Sequence, residues 1–349
     1  MTSIVKPRID KHLRRNKLGL TVRDYEGVMS TLCAGCGHDS VTAAFVQAFH
    51  EMNLEPHRAA KVSGIGCSSK TTAYFLGQSS GINSVHGRMP SVATGAAAVN
   101  PDLYYIGVSG DGDSLSIGIG QFAHAIRRNL NMLYCIENNG VYGLTKGQFS
   151  ASADIGTKAK YGEVNEQPPI DPVLLALSLG ATFVARGFSG DKKQLVPLMK
   201  AALAHKGFAL IDIVSPCVTF NDHKGSTKSY AHTYEYYHPV IHADFVPEEA
   251  EITAEYQEGG AITVPMHHGG NVTLRKLGRD YDPRDRDQAF HLLRTREGSE
   301  VLTGLLYIDE TRPDMGDMNR LPDEPLNQMD YAKLCPGSAK LAEVMKGYS

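Results

Sequence analysis

Apolar and polar positions along this chain alternate between two periods. Residues 103–109 form an apolar run that stops at Gly110-Asp111-Gly112. A helical pattern follows, with Ile119, Phe122, Ala123 and Ile126 on one face, and a second apolar run, 132–136, ends at Asn138-Asn139. Strand, crossover helix and strand predict a βαβ unit with parallel strands, and a right-handed crossover puts both strand ends on one edge of the sheet. The alternation recurs on either side. Upstream, Val41, Ala44, Phe45, Ala48, Phe49 and Met52 share a helical face behind Asp39 or Ser40 as cap, a short strand ends at 61–63, and a small-residue helix spans 91–99. Downstream, 172–179 and 192–205 read as helices and 182–185 and 208–214 as strands, with a polar loop over 149–167. The fold expected is α/β, with a sheet of about six mostly parallel strands and helices on both faces. Beyond Thr219 the periodicity weakens. Residues 261–274 read as a hairpin around Gly269-Gly270, and the rest as an irregular C-terminal extension. The division expected is a basic arm over 1–30, a principal domain over 31–220, and an extension over 221–349 that contacts a partner subunit.

Ligands of open α/β sheets bind at the carboxyl ends of the strands. Asp111 and Asn139 leave adjacent strands at that edge. Asp-Gly and Asn-Gly are also common turn dipeptides; paired at mirrored ends of one βαβ unit, they suit a hard cation. Mg²⁺ takes about six oxygens at about 2.1 Å and shares them with phosphates and water. Asp111 supplies charge, and the Asn139 amide with a loop carbonyl, that of Val141, completes a protein face. Gly110, Gly112 and Gly140 let backbone approach a diphosphate, and exposed amides near Asp113 and Ser114 can bind its oxygens. Two competing motifs fail. Asp111-x-Asp113 lacks an acid at the closing position of an EF-hand loop, which is Phe122. Gly118-x-Gly120-x-x-Ala123 begins too far beyond the strand for a dinucleotide fingerprint.

Composition narrows the classes. The chain has 349 residues, and its net charge of −3 gives no nucleic-acid footprint. No run of 18 apolar residues suggests a membrane span. Lys6, Arg8, Lys11, Arg14, Arg15 and Lys17 make the start basic without an apolar signal core. Six cysteines in a chain this long fit a reducing, cytoplasmic setting with a metal or redox site. Cys33-Ala34-Gly35-Cys36 admits three readings: half a zinc site, a redox disulfide, or an iron–sulfur ligand pair. Cys67 lies in the loop Gly64-Ile65-Gly66-Cys67-Ser68-Ser69-Lys70, and Cys217 follows the last strand at Ser215-Pro216. These four cysteines sit in loops that can converge, whereas Cys135 reads as a buried strand residue and Cys335 has no assigned role. In the loop Val85-His86-Gly87-Arg88, Arg88 suits an anion or a partner, and His86 either meets a phosphate or is a satisfied loop histidine. Lys70 can reach a second substrate carboxylate or pair with a partner. His267-His268 are metal ligands or exposed loop residues.

Gly-Asp-Gly, 25 residues and Asn-Asn resembles the thiamine diphosphate motif. The continuation Val141-Tyr142-Gly143-Leu144-Thr145-Lys146-Gly147-Gln148 is similar to the β subunit of 2-oxoacid:ferredoxin oxidoreductases, most of all to 2-oxoglutarate members. That resemblance is dense over 31–220. It implies a thiamine diphosphate-binding fold with the cofactor held by Ile65, Gly66, Cys67, Ser68, His86, Gly110, Asp111, Gly112, Asp113, Asn139, Val141, Gly143, Leu144 and Thr145. It further implies Mg²⁺ on Asp111, Asn139 and Val141, one 4Fe–4S cluster on Cys33, Cys36, Cys67 and Cys217, and Lys70 as the catalytic residue facing substrate. The activity implied is oxidative decarboxylation of a 2-oxoacid with coenzyme A to acyl-CoA and CO₂, with electrons passing through the cluster to ferredoxin. A separate α subunit supplies the glutamate beside the aminopyrimidine, in an α2β2 assembly. The competing expectations are pyruvate as substrate, a non-oxidative thiamine diphosphate decarboxylase or synthase subunit, and a non-catalytic metal-binding scaffold in a redox complex.

Overall fold

The computed structural model describes residues 13–159, 162–221, 226–239, 261–265, 271–275, 281–295, 301–335 and 337–348. His267-His268, the Gly269-Gly270 tip and the basic residues Lys6, Arg8 and Lys11 lie outside them.

The first half of the chain supplies α1 (Gly37–Met52), β1 (Ala59–Ser63), α2 (Cys67–Lys70), β2 (Ser80–Asn83), α3 (Met89–Val99), β3 (Tyr104–Gly110), α4 (Ile119–Arg127) and β4 (Met132–Asn138). A two-strand hairpin, β5 (Val141–Tyr142) with β6 (Gln148–Phe149), precedes α5 (Pro172–Leu179), β7 (Phe183–Phe188), α6 (Lys192–Ala204) and β8 (Phe208–Val214). Then come α7 (Tyr230–Tyr236), β9 (Tyr237–Pro239), β10 (Ala261–Pro265), β11 (Asn271–Arg275), α8 (Arg286–Thr295) and β12 (Val301–Ile308).

Six strands pair in parallel in the order β2-β1-β3-β4-β8-β7. Their two faces follow from period-2 alternation. Met132, Tyr134 and Ile136 of β4 join Phe208 and Leu210 of β8 in one core with Phe122 of α4. Leu133 and Cys135, with Ala209 and Ile211, face the other way onto Phe45 and Phe49 of α1 and Leu195 of α6. Each face is therefore covered by helices, as parallel strands require.

Three local features differ from the sequence reading. Helix α1 starts at Gly37 with Cys36 as N-cap rather than behind Asp39 or Ser40. The Cys33–Cys36 turn, closed by Cys36 N–H to Cys33 O at 3.1 Å, runs straight into the helix. Asp39 then lies in the first turn, where its charge suits the positive end of the helix dipole. After β3 the chain enters a π-helical segment, Gly112–Ile117, before the regular helix starts at Ile119. Finally, the later half of the arm is tied down. Tyr25 is fully buried, edge-on to His50 of α1, and Asn16 donates to Tyr25 Oη at 2.8 Å.

The C-terminal stretch returns to the sheet. Strand β12 lies antiparallel to β7, with β9 beside it. Ala289 and Leu293 of α8, Leu302 and Leu306 of β12, and Met315 enter the core. The expected division at 220 thus falls within a continuous sheet, because the apolar run 301–308 buries itself although polar sequence surrounds it. Strands β10 and β11 pair antiparallel, Val264 opposite Val272.

Candidate functional site

In the β3–β4 register Gly110 faces Glu137, so the two chains leave the sheet together. Asp111 follows at once, only 1% exposed, and reaches across to the neighbouring strand end. Its Oδ2 accepts Gly140 N–H at 3.0 Å and the Ser152 hydroxyl at 2.6 Å, with the Ser150 hydroxyl also against it. Its Oδ1 accepts the Asn139 backbone N–H at 3.4 Å. Burial pushes the Asp111 carboxyl above its ordinary range, while the Ser150 and Ser152 hydroxyls pull it back. Asn139 Oδ1 accepts Val141 N–H at 3.1 Å, an Asx turn that aims the carboxamide at the edge. Gly140 holds φ +76° there, a left-handed conformation that glycine adopts without cost.

All fourteen residues expected at the cofactor line one cavity at this edge. The sequence places them in four loops; the sheet brings those loops together. Asp113 plays a different part from the one expected of it. It is buried, and its carboxylate accepts Gly87 N–H at 2.8 Å, Ile65 N–H at 3.3 Å and the Ser109 hydroxyl at 2.5 Å, with His86 Nδ1 against it. It clamps the 65 and 86–87 loops to the end of β3. Ser114 is buried too, bonded to Tyr134 Oη at 2.9 Å, so this segment is not the exposed helix start that was expected. Gly112 is required by Tyr142: a Cβ there would lie 2.5 Å from its ring.

Lys70 is the exception among the site residues. It does not line the cavity, and its Nζ donates to Thr31 O at 3.2 Å.

His38, Glu137 and Tyr142 also line the cavity and were not in the sequence-derived set. Glu137 is fully buried, with Oε2 3.3 Å from His38 Nδ1 and, among the described residues, no well-aligned hydrogen bond to either carboxyl oxygen. His38 Nδ1 also lies 2.6 Å from Ser215 Oγ. Burial pushes Glu137 well above the usual carboxylate range and lowers His38 to about 4. Only the Tyr142 position carried a signal, as part of the Asn-Asn continuation. The 38–137 contact joins the cysteine turn to a strand end 99 positions away, which no spacing reveals.

The four loop cysteines approach one another behind Cys67. A Cβ on Gly143 would lie 3.6 Å from Cys67 Sγ and 3.8 Å from Cys217 Sγ, so the absent side chain leaves the space between these thiols open. Thr219 Oγ1 lies 3.9 Å from Cys33 Sγ. Burial pushes the Cys36 thiol up to about 12, with Glu137 and Cys217 adding to it. Burial also raises the Cys67 thiol, followed by Cys217 and Cys33, while Lys70 opposes. Among the described residues no disulfide joins these four cysteines. Among the described residues no three His, Cys, Asp or Glu close to the distance that a single ion requires. Four thiols from three loops make up the kind of donor set that an iron–sulfur cluster takes.

At the cavity, the donor set fits a magnesium diphosphate: one carboxylate oxygen, one carboxamide and glycine backbone at a single edge. Among the described residues no helix is long and apolar enough to cross a membrane.

A family model, the C-terminal TPP-binding domain of thiamine pyrophosphate enzymes, matches residues 64–213. A 2-oxoacid:ferredoxin oxidoreductase subunit beta of Saccharolobus solfataricus is 44% identical over 206 residues, 59% of this chain and 65% of that protein. The 2-oxoglutarate synthase subunit KorB of Methanothermobacter marburgensis is 34% identical over 222 residues, 63% of this chain and 73% of its own length. The solved 2-oxoglutarate:ferredoxin oxidoreductase of Magnetococcus marinus, with 2-oxoglutarate, coenzyme A and succinyl-CoA bound, superposes with a TM-score of 0.71 at 30% identity, over 89% of this chain and 92% of that one. The match to the first of these relatives spans just under two thirds of its length.

Proposed function

Because this chain belongs to the family of 2-oxoacid:ferredoxin oxidoreductase β subunits, we propose that it oxidatively decarboxylates a 2-oxoacid with coenzyme A, giving acyl-CoA and CO₂ and passing electrons to ferredoxin. The observation that carries this reading is the position of Cys67. It lines the cavity under Asp111 and Asn139, and it also faces Cys217 across Gly143. One short loop therefore touches both a diphosphate site and a thiol ring.

Asp111 Oδ1, the Asn139 carboxamide and the Val141 carbonyl would hold Mg²⁺, and Cys33, Cys36, Cys67 and Cys217 a 4Fe–4S cluster. Thiamine diphosphate, when bound, supplies the nucleophilic carbon and the electron sink for loss of CO₂. This chain's part is to fix the diphosphate end, through Asp111, Asn139 and the glycine backbone, and to keep the cluster ligands within the same wall. The shared wall gives the electrons a short way out, which distinguishes an oxidative enzyme from a simple decarboxylase.

The one glutamate on the cavity, Glu137, sits beside His38 at the cysteine side. The glutamate that thiamine enzymes place beside the aminopyrimidine would come from an α subunit, in an α2β2 assembly. The chain purified alone is accordingly expected to show no decarboxylation of 2-oxoacids, and activity is expected on adding the α subunit. Full-rate turnover by the single chain would refute this division of labour.

2-Oxoglutarate is the favoured substrate. The Methanothermobacter relative carries that name, and Lys70 is a half-buried cation whose bond to a neutral carbonyl leaves its charge available. Because Lys70 lies off the cavity wall, a distal carboxylate would have to reach past Cys67 to meet it. Lys70→Ala is expected to raise KM for 2-oxoglutarate much more than for pyruvate. Equal changes for both substrates in steady-state assays would remove Lys70 from substrate recognition.

A further inference from the structure

Behind Asp111 runs a buried polar chain that none of the site residues discussed so far explains. We propose that Ser152 and Ser150, braced by Asn138, Asp212 and Arg186, are positioning residues that commit one oxygen of Asp111 to the protein and leave the other for the cation. This rests on Asp111 being a magnesium ligand, and it extends that reading to the residues that set which ion is accepted.

The two Asp111 oxygens are treated unequally. Oδ2 takes Gly140 N–H at 3.0 Å, Ser152 Oγ at 2.6 Å and Ser150 Oγ. An ionised carboxylate has about four lone-pair sites over its two oxygens, so Oδ2 is saturated. From neighbouring residues among those described, Oδ1 takes the Asn139 backbone N–H alone, at 3.4 Å, the long limit of a hydrogen bond. One oxygen is thus presented to the cavity and the carboxylate is prevented from rotating.

The hydroxyl of Ser152 is itself fixed from behind. Asn138 Oδ1 lies 2.9 Å from Ser152 Oγ, and Asn138 Nδ2 donates to Asp212 Oδ1 at 3.0 Å. Arg186 Nε donates to Asp212 Oδ2 at 2.7 Å, and its Nη2 to Asp171 Oδ1 at 2.6 Å, where Asp171 caps α5. A carboxylate only accepts and a guanidinium only donates. Asp212 therefore dictates that Asn138 turns its NH₂ toward β8 and its carbonyl toward Ser152. Ser152 has one proton for two acceptors, Asp111 Oδ2 at 2.6 Å and Asn138 Oδ1 at 2.9 Å, and shares it in a three-centre bond weighted toward the nearer, charged oxygen. Ser152, Asn138, Asp212 and Arg186 are all at least 95% buried, and they border a cavity of about 190 Å³. The first asparagine of the Asn-Asn pair thereby acquires a role distinct from that of the second: it faces away from the cation and orients the hydroxyl that orients the ligand.

The consequence concerns ion choice. Mg²⁺ demands near-ideal octahedral geometry at about 2.1 Å, whereas Ca²⁺ accepts bidentate carboxylates at longer distance. A clamped, one-oxygen Asp111 favours Mg²⁺; an Asp111 free to rotate admits Ca²⁺.

The test uses the complex of this chain with its α subunit, stripped of divalent ions, with thiamine diphosphate binding followed by calorimetry in Mg²⁺ and in Ca²⁺. Ser152→Ala is expected to weaken Mg²⁺-dependent binding by roughly 10- to 100-fold, the usual cost of losing a partner that orients a metal ligand. Binding with Ca²⁺ should fall far less, so the Mg²⁺/Ca²⁺ preference drops. Ser150→Ala, which removes the other hydroxyl from the same oxygen, is expected to shift the preference the same way and serves if Ser152→Ala does not assemble. A purely structural loss would weaken both ions equally, and that result, or wild-type affinity for Mg²⁺ in both variants, overturns the proposal. Wild-type binding in Asp111→Ala would instead bring down the underlying assignment of the ligand.

Discussion

Asp111→Ala is expected to lose magnesium and thiamine diphosphate together. On the proposed reading the diphosphate and the cation bind as a unit, with Asp111 as the charged member of the protein's ligand face. Removal of a direct ligand should cost more than the roughly 100-fold upper range for loss of an outer-shell partner. The same change leaves Gly140 N–H and the Ser150 and Ser152 hydroxyls without their buried acceptor. Each such orphaned group costs about 1–3 kcal/mol, so part of the effect will be lower stability. Asp111→Asn separates the two. It keeps the shape and an acceptor oxygen, so thermal unfolding should stay near that of the parent while cofactor binding still falls. Cofactor extraction from the purified variant checks this, and thiamine diphosphate retained at the parent's stoichiometry would contradict it.

Cys67→Ser is expected to bleach the brown colour of an anaerobic preparation while leaving the diphosphate site able to bind. Four thiolates hold a cluster, and a serine hydroxyl does not replace one at neutral pH. The neighbouring cavity residues Ile65, Gly66 and Ser68 remain in place. The variant therefore uncouples the two sites: cofactor content near that of the parent, iron sharply reduced, and reduction of ferredoxin lost. Iron and sulfide analysis reads this directly, and full iron content would remove Cys67 from the ligand set.

What the sequence disclosed depended on how local the signal was. The β3–α4–β4 unit was legible because each strand ends at a turn dipeptide and the helix between shows its own apolar face. Helix α5 and strand β8 match the expected spans, 172–179 and 208–214. The convergence of four loops at one edge followed from parallel topology alone. Long-range polar pairing was not legible. Arg186 falls just beyond the expected strand 182–185, yet it is a buried cation between Asp171 and Asp212. Ser150 and Ser152 looked like ordinary loop serines until the fold put both hydroxyls on Asp111. Glu137 lies at the end of β4, and only the fold shows it facing His38 of α1. Strand β12 was overlooked because its apolar run lies among Pro, Asp and Arg, whose polarity masked it.

One anaerobic sample of the chain with its α subunit, analysed together for thiamine diphosphate, magnesium, iron and sulfide, tests the central claim most directly. The expected result is one thiamine diphosphate and one magnesium for each four-iron cluster. Cofactor without iron would mark a non-oxidative decarboxylase or synthase subunit. Metal on the cysteines without thiamine diphosphate would mark a scaffold, and either outcome would contradict two sites sharing the Cys67 loop.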